Sequence, residues 1–143
     1  MTTIWTITAD SSRARIFQAH GTGNDFHEIQ DFINPLGRAR DGELRQDAQG
    51  RYAGKGEPGH SVPPRTDPIE REHDAFARML GQFLEQAGQE HRYDKLRLAA
   101  APKFLGKLRE HLGKAAQKAV FEELDENISK LKPIEIQRRL NRS

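Results

Sequence analysis

The sequence contains no cysteine, which excludes disulfide bonds, thiolate metal ligands and cysteine catalysis. It also has no apolar run near the length of a membrane-spanning helix, and its first residues lack the basic and apolar regions of a signal peptide. Hydrophobic residues make up 35% of the 143 positions and charged residues 31%. These features and the length predict a cytoplasmic protein of one domain over residues 1–143, without a membrane partner.

Several catalytic and ligand motifs are missing as well. The histidines, among them His60 and His73, show no metal-ligand spacing. No Gly-x-Ser-x-Gly motif and no phosphate-binding Gly-Lys-Ser/Thr motif occurs. We therefore expect no metal and no cofactor, and we favour a non-catalytic function.

The formal net charge of +2 says little about partners by itself, but the charges are unevenly distributed. Residues 67–90 are rich in Asp and Glu, whereas residues 92–118 are rich in Lys and Arg. The polar sides of the fold are therefore expected to differ in charge.

Three short segments at the beginning of the chain have the composition of β-strands. They are Thr3–Ala9, Ala14–Ala19 and Phe26–Ile33, and the turn-forming residues 10–12 and 21–25 separate them. Strands joined by such short turns predict an antiparallel meander.

The second half of the chain alternates between helix and strand patterns. Asp67 as N-cap, Pro68 in the first turn and Glu70 at the third position predict a helix ending near Gly88 or Gln89. The following elements are a buried strand at Leu96–Ala101, a helix from Pro102 to Gly113, a helical turn at Lys114–Lys118, an edge strand at Val120–Asp125, and a last helix from Pro133 spaced by Leu131, Ile134 and Leu140. This order predicts an α/β fold with a mixed five-stranded sheet, in which β-α-β crossovers follow the meander, as in ribonuclease-H-like proteins.

The segment at about 34–66 lies between these halves and has no helical or strand period. It is rich in Gly, Pro and Arg, and a loop of this length in a compact domain is usually functional or disordered. Its basic residues and one histidine are Arg38, Arg40, Arg45, Arg51, Lys55, His60 and Arg65. They suit an RNA-contact surface that folds on binding, although four interspersed acidic residues equally fit a solvated loop.

Asp10 ends the first strand, where ribonuclease-H-like nucleases carry a metal-binding carboxylate. Companion carboxylates for two metal ions would be Glu28 or Asp31 on the third strand, and Asp67 or Asp125. The alternative is that Asp10 starts a turn, as Asp commonly does. A metal-dependent nuclease using Asp10 is the weaker interpretation.

Other basic and aromatic residues also have two interpretations. Arg13 and Arg15 share a strand face, where they form a structural salt bridge with Asp10 or bind an anion, and the salt bridge is favoured. Lys103 and Lys107, with Arg109 and Lys114, line the second helix as an RNA-phosphate surface or as a solvated face. Trp5 and Phe17 form either a base-stacking platform or part of the core, and burial is favoured.

Particular stretches resemble the bacterial "host attachment" proteins over essentially the whole chain. They are Ala9–Phe17, Pro64–Pro68, Phe76–Arg78, Pro102–Arg109 and Leu131–Leu140. That family is similar to the middle domain of archaeal and eukaryotic peptide-chain release factors, which has a ribonuclease-H-like core.

The resemblance implies a role for the long loop. In release factors the corresponding loop carries Gly-Gly-Gln and enters the peptidyl-transferase centre, whereas this chain has Gly54–His60 there and no Gly-Gly-Gln. The leading hypothesis is a non-catalytic module that binds ribosomal RNA or tRNA through the loop, Arg13, Lys103 and Lys107. A protein-interaction module linked to host attachment is the alternative, and open sheet edges make a homodimer one further expectation.

Overall fold

The computed structural model describes residues 2–21, 25–34 and 67–141. The strands are β1 (Thr3–Ala9), β2 (Arg13–His20), β3 (His27–Ile33), β4 (Lys95–Ala100) and β5 (Val120–Leu124). The helices are α1 (Pro68–Gln89), α2 (Pro102–His111), α3 (Lys114–Ala119) and α4 (Pro133–Asn141). The elements predicted from the sequence lie within two residues of these bounds, except that the 21–25 turn and the 34–66 loop fall largely outside the described residues.

The five strands form one mixed sheet in the order β3-β2-β1-β4-β5. β1 and β2 pair antiparallel, as do β2 and β3, while β4 runs parallel to β1 and β5 parallel to β4. The predicted meander, crossovers and edge position of β5 are confirmed. The carboxyl ends of β1, β4 and β5 consequently lie at one end of the sheet.

The first face of the sheet is covered by α1, α2 and α3. Alternate residues of β1 and β4, including Trp5, Ile7, Leu96 and Leu98, point to this face and are fully buried. The apolar stripe of α1 and the inner residues of α2 close over them. Trp5 is thus a core residue and offers no ring for base stacking.

Within the described residues, the second face is covered by α4 and the segment before it, at the carboxyl ends of β4 and β5. Phe17 and Ala99 pack there with Ile128, Ile136 and Leu140. Within α4 the buried positions are Ile136 and Leu140, whereas Ile134 is 52% exposed. The predicted spacing by Leu131, Ile134 and Leu140 was wrong at Ile134, which lies two residues, about half a helical turn, from the buried Ile136 and therefore points outward.

Two local features fix α1. The Asp67 side chain accepts a hydrogen bond from the Ile69 amide at 2.9 Å, which confirms the predicted cap. Gly81 lies where a Cβ atom would be 2.4 Å from the backbone oxygen of His111, so the end of α2 can approach α1 only at a glycine. None of the helices in the described parts of the chain is long and apolar enough to cross a membrane.

Candidate nucleic-acid interface

Both ends of the 34–66 segment attach to the same end of the sheet. Asn34 donates its amide N–H to the Ser12 carbonyl at 2.8 Å, next to the end of β1. On the other side, Asp67 caps α1, and Glu70 in the first turn contacts Lys103 at the start of α2, directly after β4. Because β1 and β4 are parallel, the segment leaves and rejoins the fold at their carboxyl ends.

Asp10 sits at this end in a network of hydrogen-bond donors. Its Oδ1 accepts from the Ser12 amide and hydroxyl, both at 2.8 Å, and from the Arg13 amide at 2.9 Å. Its Oδ2 accepts from the Ser129 hydroxyl at 2.9 Å and from the Asn127 side-chain amide at 3.5 Å. Asp10 therefore closes the β1–β2 turn and holds the chain segment before α4.

The electrostatics of Asp10 follow from these contacts. Burial acts to raise the pKa of its carboxyl, but the hydrogen bonds from Ser12, Ser129 and Arg13 outweigh burial and hold the pKa below its usual range. Of the companion acids proposed for a metal site, Asp31 pairs with Arg13, Glu28 pairs with Arg15, Asp67 caps α1, and Asp125 is exposed after β5. In the described parts of the chain no group of three or more His, Asp or Glu residues could hold a metal ion.

Arg13 and Arg15 both bind acids of β3. Arg13 donates to Asp31 through Nε at 3.0 Å and Nη2 at 2.7 Å, and this contact raises the pKa of Arg13. Arg15 likewise forms a bidentate pair with Glu28, through Nε at 3.1 Å and Nη2 at 2.9 Å. Structural ion pairing, one of the two interpretations from the sequence, describes both, and neither guanidinium pairs with the Asp10 carboxylate.

Lys103 and Lys107 converge on one acidic residue of α1. Their Nζ atoms lie 2.5 Å and 2.9 Å from the two carboxylate oxygens of Glu70, and these contacts lower the pKa of Glu70 to about 2. The Lys103 side chain remains 73% exposed, whereas that of Lys107 is 19% exposed. Lys103 therefore remains largely exposed to solvent, while Lys107 mainly joins α1 to α2.

Other candidate residues are distributed differently. Arg109 pairs with Glu123 of β5, which partly neutralises the basic side of α2. The predicted RNA contacts Arg38, Arg40, Arg45, Arg51, Lys55, His60 and Arg65 lie outside the described residues.

Sequence reasoning missed the segment that Asp10 and Arg15 hold in place. Arg15 donates through Nη1 to the backbone oxygens of Ser129 and Leu131, at 2.9 Å and 2.7 Å. Asn127 Oδ1 accepts from the Ser129 amide at 3.1 Å and lies 2.7 Å from the Ser129 hydroxyl oxygen, whose single proton it shares with Asp10. The Asn-x-Ser pattern was a signal for such a local turn, but its partners lie more than 110 positions away in the sequence.

The comparisons with known proteins agree with this architecture. The chain matches the family described as "Protein required for attachment to host cells" over residues 5–140. No curated protein matches it.

Two solved archaeal structures share the fold. One, described as "Archaeal protein", is 13% identical with a TM-score of 0.51, over 96% of this chain and 34% of that one. The other is the crystal structure of the archaeal translation termination factor aRF1, 11% identical with a TM-score of 0.52, over 98% of this chain and 38% of that one. The chain thus spans about a third of the length of each structure, and the likeness is one of fold, which is release-factor-like.

Proposed function

Because the chain belongs to the family described as "Protein required for attachment to host cells" and has a release-factor-like fold, we propose that it is a non-catalytic module that binds ribosomal RNA or tRNA. The 34–66 loop and the basic residues beside its ends supply the contacts. The module acts in association with translation in the cytoplasm.

The observation that supports this proposal most directly is where the loop attaches. Asn34 and Asp67 hold its two ends at the carboxyl ends of β1 and β4. Open α/β sheets generally bind their ligands outside this end. The loop carries six Lys and Arg residues against four acidic residues, together with glycines that allow a backbone to approach phosphates closely.

Two described cations extend this basic surface. Arg13 has a side chain 35% exposed, and its guanidinium retains donors besides those bound to Asp31. Lys103 projects from the first turn of α2, and among the described residues it forms an ion pair with Glu70 alone. Both pairs are exposed enough that an arriving phosphate can compete with the carboxylate.

Sedimentation with ribosomes at low and moderate salt tests the proposal. We expect the protein to appear in the ribosome fractions at low salt and to be released steeply as salt rises, because phosphate contacts displace counterions. Absence from those fractions at both salt concentrations would reject an association with ribosomes and with it the proposed function.

A matched pair of variants locates the contact. Replacing Arg38, Arg40 and Arg45 together by Gln should weaken binding. It should also lower the slope of log affinity against log salt concentration by about two. The control replaces three exposed cations of the other elements, Lys118, Lys130 and Arg138, by Gln. The control has the same change in net charge, so an equal loss in both variants would indicate general electrostatic attraction rather than a loop contact.

The family description itself favours one alternative, a protein-interaction module that takes part in attachment. Such a module should retain its partners in a pull-down after nuclease treatment. The RNA-binding module should lose them.

A nuclease that uses Asp10 is less well supported by the geometry. Both carboxylate oxygens of Asp10 already accept hydrogen bonds, and Glu28 and Asp31 pair with arginines. Mg²⁺- or Mn²⁺-dependent RNA cleavage that Asp10→Asn abolishes would nevertheless establish it.

A further inference from the structure

A β-bulge at the sheet edge turns one aromatic side chain away from the core. Val120 pairs with Leu96 and Glu122 pairs with Arg97, so Phe121 is an extra residue without a partner in β4. Bulges at sheet edges commonly redirect a side chain. Phe121 is 46% exposed and belongs to neither hydrophobic cluster.

Two cations of β4 lie against this ring. The Arg97 guanidinium carbon is 5.1 Å from the ring centroid, and the Lys95 Nζ is 5.6 Å from it. Both distances are within the range of cation–π attraction. We call the surface formed by Lys95, Arg97 and Phe121 the β4–β5 platform.

The platform lies on the part of the second sheet face that α4 leaves uncovered. The helix packs over Phe17, Ala99 and Leu124, towards the carboxyl ends of the strands. At the amino end of β4, Lys95 is exposed and its cross-strand neighbour Ile4 is half-buried.

The charge of the platform is positive after its own ion pair is counted. Arg97 Nε lies 2.6 Å from Glu122 Oε1, a charge contact without hydrogen-bond geometry. Among the described residues, the guanidinium makes a single hydrogen bond, a long one of 3.4 Å to Thr6 Oγ1, and Lys95 forms no ion pair. The next acid, Glu123, pairs with Arg109 of α2. One unpaired ammonium and several guanidinium donors are therefore available to an anion.

We propose that the β4–β5 platform binds a single-stranded RNA segment by stacking a base on Phe121 and holding an adjacent phosphate with Lys95 and Arg97. This inference rests on the proposed function and names a second contact surface for the same ligand class. An exposed aromatic ring flanked by cations on a sheet suits unpaired nucleotides, since every base has a face to stack and a phosphate beside it.

A protein partner fits the platform less well. A stable protein interface buries about 800 Å² on each side around a well-packed apolar centre. Here the apolar contribution is a single ring with two cations over it. Lys95 also lies about 16 Å, and Arg97 about 10 Å, from the carboxyl end of β4, where the loop attaches, because five and three residue steps of strand separate them from Ala100. The two surfaces can therefore be tested separately.

Fluorescence anisotropy with a labelled twelve-nucleotide adenosine RNA tests the platform. Phe121→Ala should weaken binding of this single strand by about five- to 150-fold, the range that one base–aromatic stack contributes. Phe121→Trp should keep or improve it. The same variants should bind an RNA duplex of equal length unchanged, because its bases are stacked on each other.

Two further variants complete the experiment. Ile134→Ala removes an apolar side chain of similar exposure from α4 and should leave single-strand binding unchanged. Lys95→Gln should lower the slope of log affinity against log salt by about 0.7, as expected for one phosphate contact to a single strand.

The outcomes separate this inference from the proposed function. If the wild-type protein binds ribosomes but Phe121→Ala leaves single-strand binding unchanged, or weakens single-strand and duplex binding equally, the platform is rejected and the loop contact stands. The platform is likewise rejected if the wild-type protein binds ribosomes but not the adenosine strand. If it binds neither, both proposals fall.

Discussion

Arg15→Met is expected to be among the most destabilising substitutions outside the apolar core. The Arg15 side chain is 6% exposed, and it joins three parts of the chain by holding Glu28 of β3 and the backbone oxygens of Ser129 and Leu131. It also lies 5.0 Å over the Phe17 ring. Met fills a similar volume but provides no donor.

The magnitude follows from what the substitution leaves behind. Glu28 would lose its partner, and breaking a buried ion pair on one side costs about 3–5 kcal/mol. The Glu28 side chain is 26% exposed, so water recovers part of that cost. The two carbonyls would each lose a charged donor, at about 1 kcal/mol each, the low end for a buried group because the Leu131 contact is only part-buried. Together we expect a loss of about 3–5 kcal/mol of unfolding free energy.

A double substitution separates the two contributions. Arg15→Met with Glu28→Met removes the stranded carboxylate but leaves both carbonyls without a donor, so it should remain about 2 kcal/mol below wild type. Urea unfolding followed by circular dichroism measures both variants. Hydrogen exchange should show that Arg15→Met accelerates amide exchange, relative to wild type, more in residues 128–131 than in β1.

Two results would refute this reasoning. A loss below about 1 kcal/mol in Arg15→Met would show that the four hydrogen bonds contribute little over solvent. Full recovery in the double variant would show that the carbonyl contacts do not hold the segment before α4.

Three other substitutions test separate features. Asp10→Ala should lower the unfolding free energy by about 2–3 kcal/mol, since it leaves several donors without an acceptor. Asp10→Asn keeps one acceptor oxygen and should lower it by about 1 kcal/mol, and thermal unfolding measures both variants. Gly81→Ala should lower the unfolding free energy by about 1–3 kcal/mol because its Cβ would meet the His111 backbone. Gly106→Ala, whose Cβ would meet nothing within 4 Å, should raise it by up to about 1 kcal/mol. Equal effects of the two substitutions would contradict the close approach of α2 to α1. Because the folded pKa of Glu70 is about 2 and its usual value is 4.5, the stability that its ionised form contributes is present above pH 4.5 and is lost as pH falls towards 2. Glu70→Gln should therefore reduce the loss of unfolding free energy between pH 4.5 and pH 2 by at most about 1 kcal/mol, because the ion pair is partly exposed.

Element types and order were predictable because they depend on local patterns. Asp67 and Pro68 marked the start of α1, and a β-branched and aromatic composition marked β1. The phase of α4 was harder, since a nine-residue helix offers few periodic positions and Ile134 and Ile136 are equally apolar. Contacts with the core decided which isoleucine is buried.

The candidate site was predictable only in part. The sequence identified Asp10, Arg13 and the helix lysines as chemically notable, but it could not tell that Lys103 and Lys107 share Glu70. The β4–β5 platform was invisible because Phe121 appears in a strand pattern as an ordinary residue. Only the pairing register shows that it is the extra residue of a bulge.

By itself, then, the sequence determined the elements, their order and the polar character of the segment between the two halves, because turn residues, caps and periodicity act within a few positions. The tertiary structure decided which charges are already paired and which are available. Those pairings join residues that are far apart in the chain, such as Arg15 and Ser129, and no local pattern specifies them.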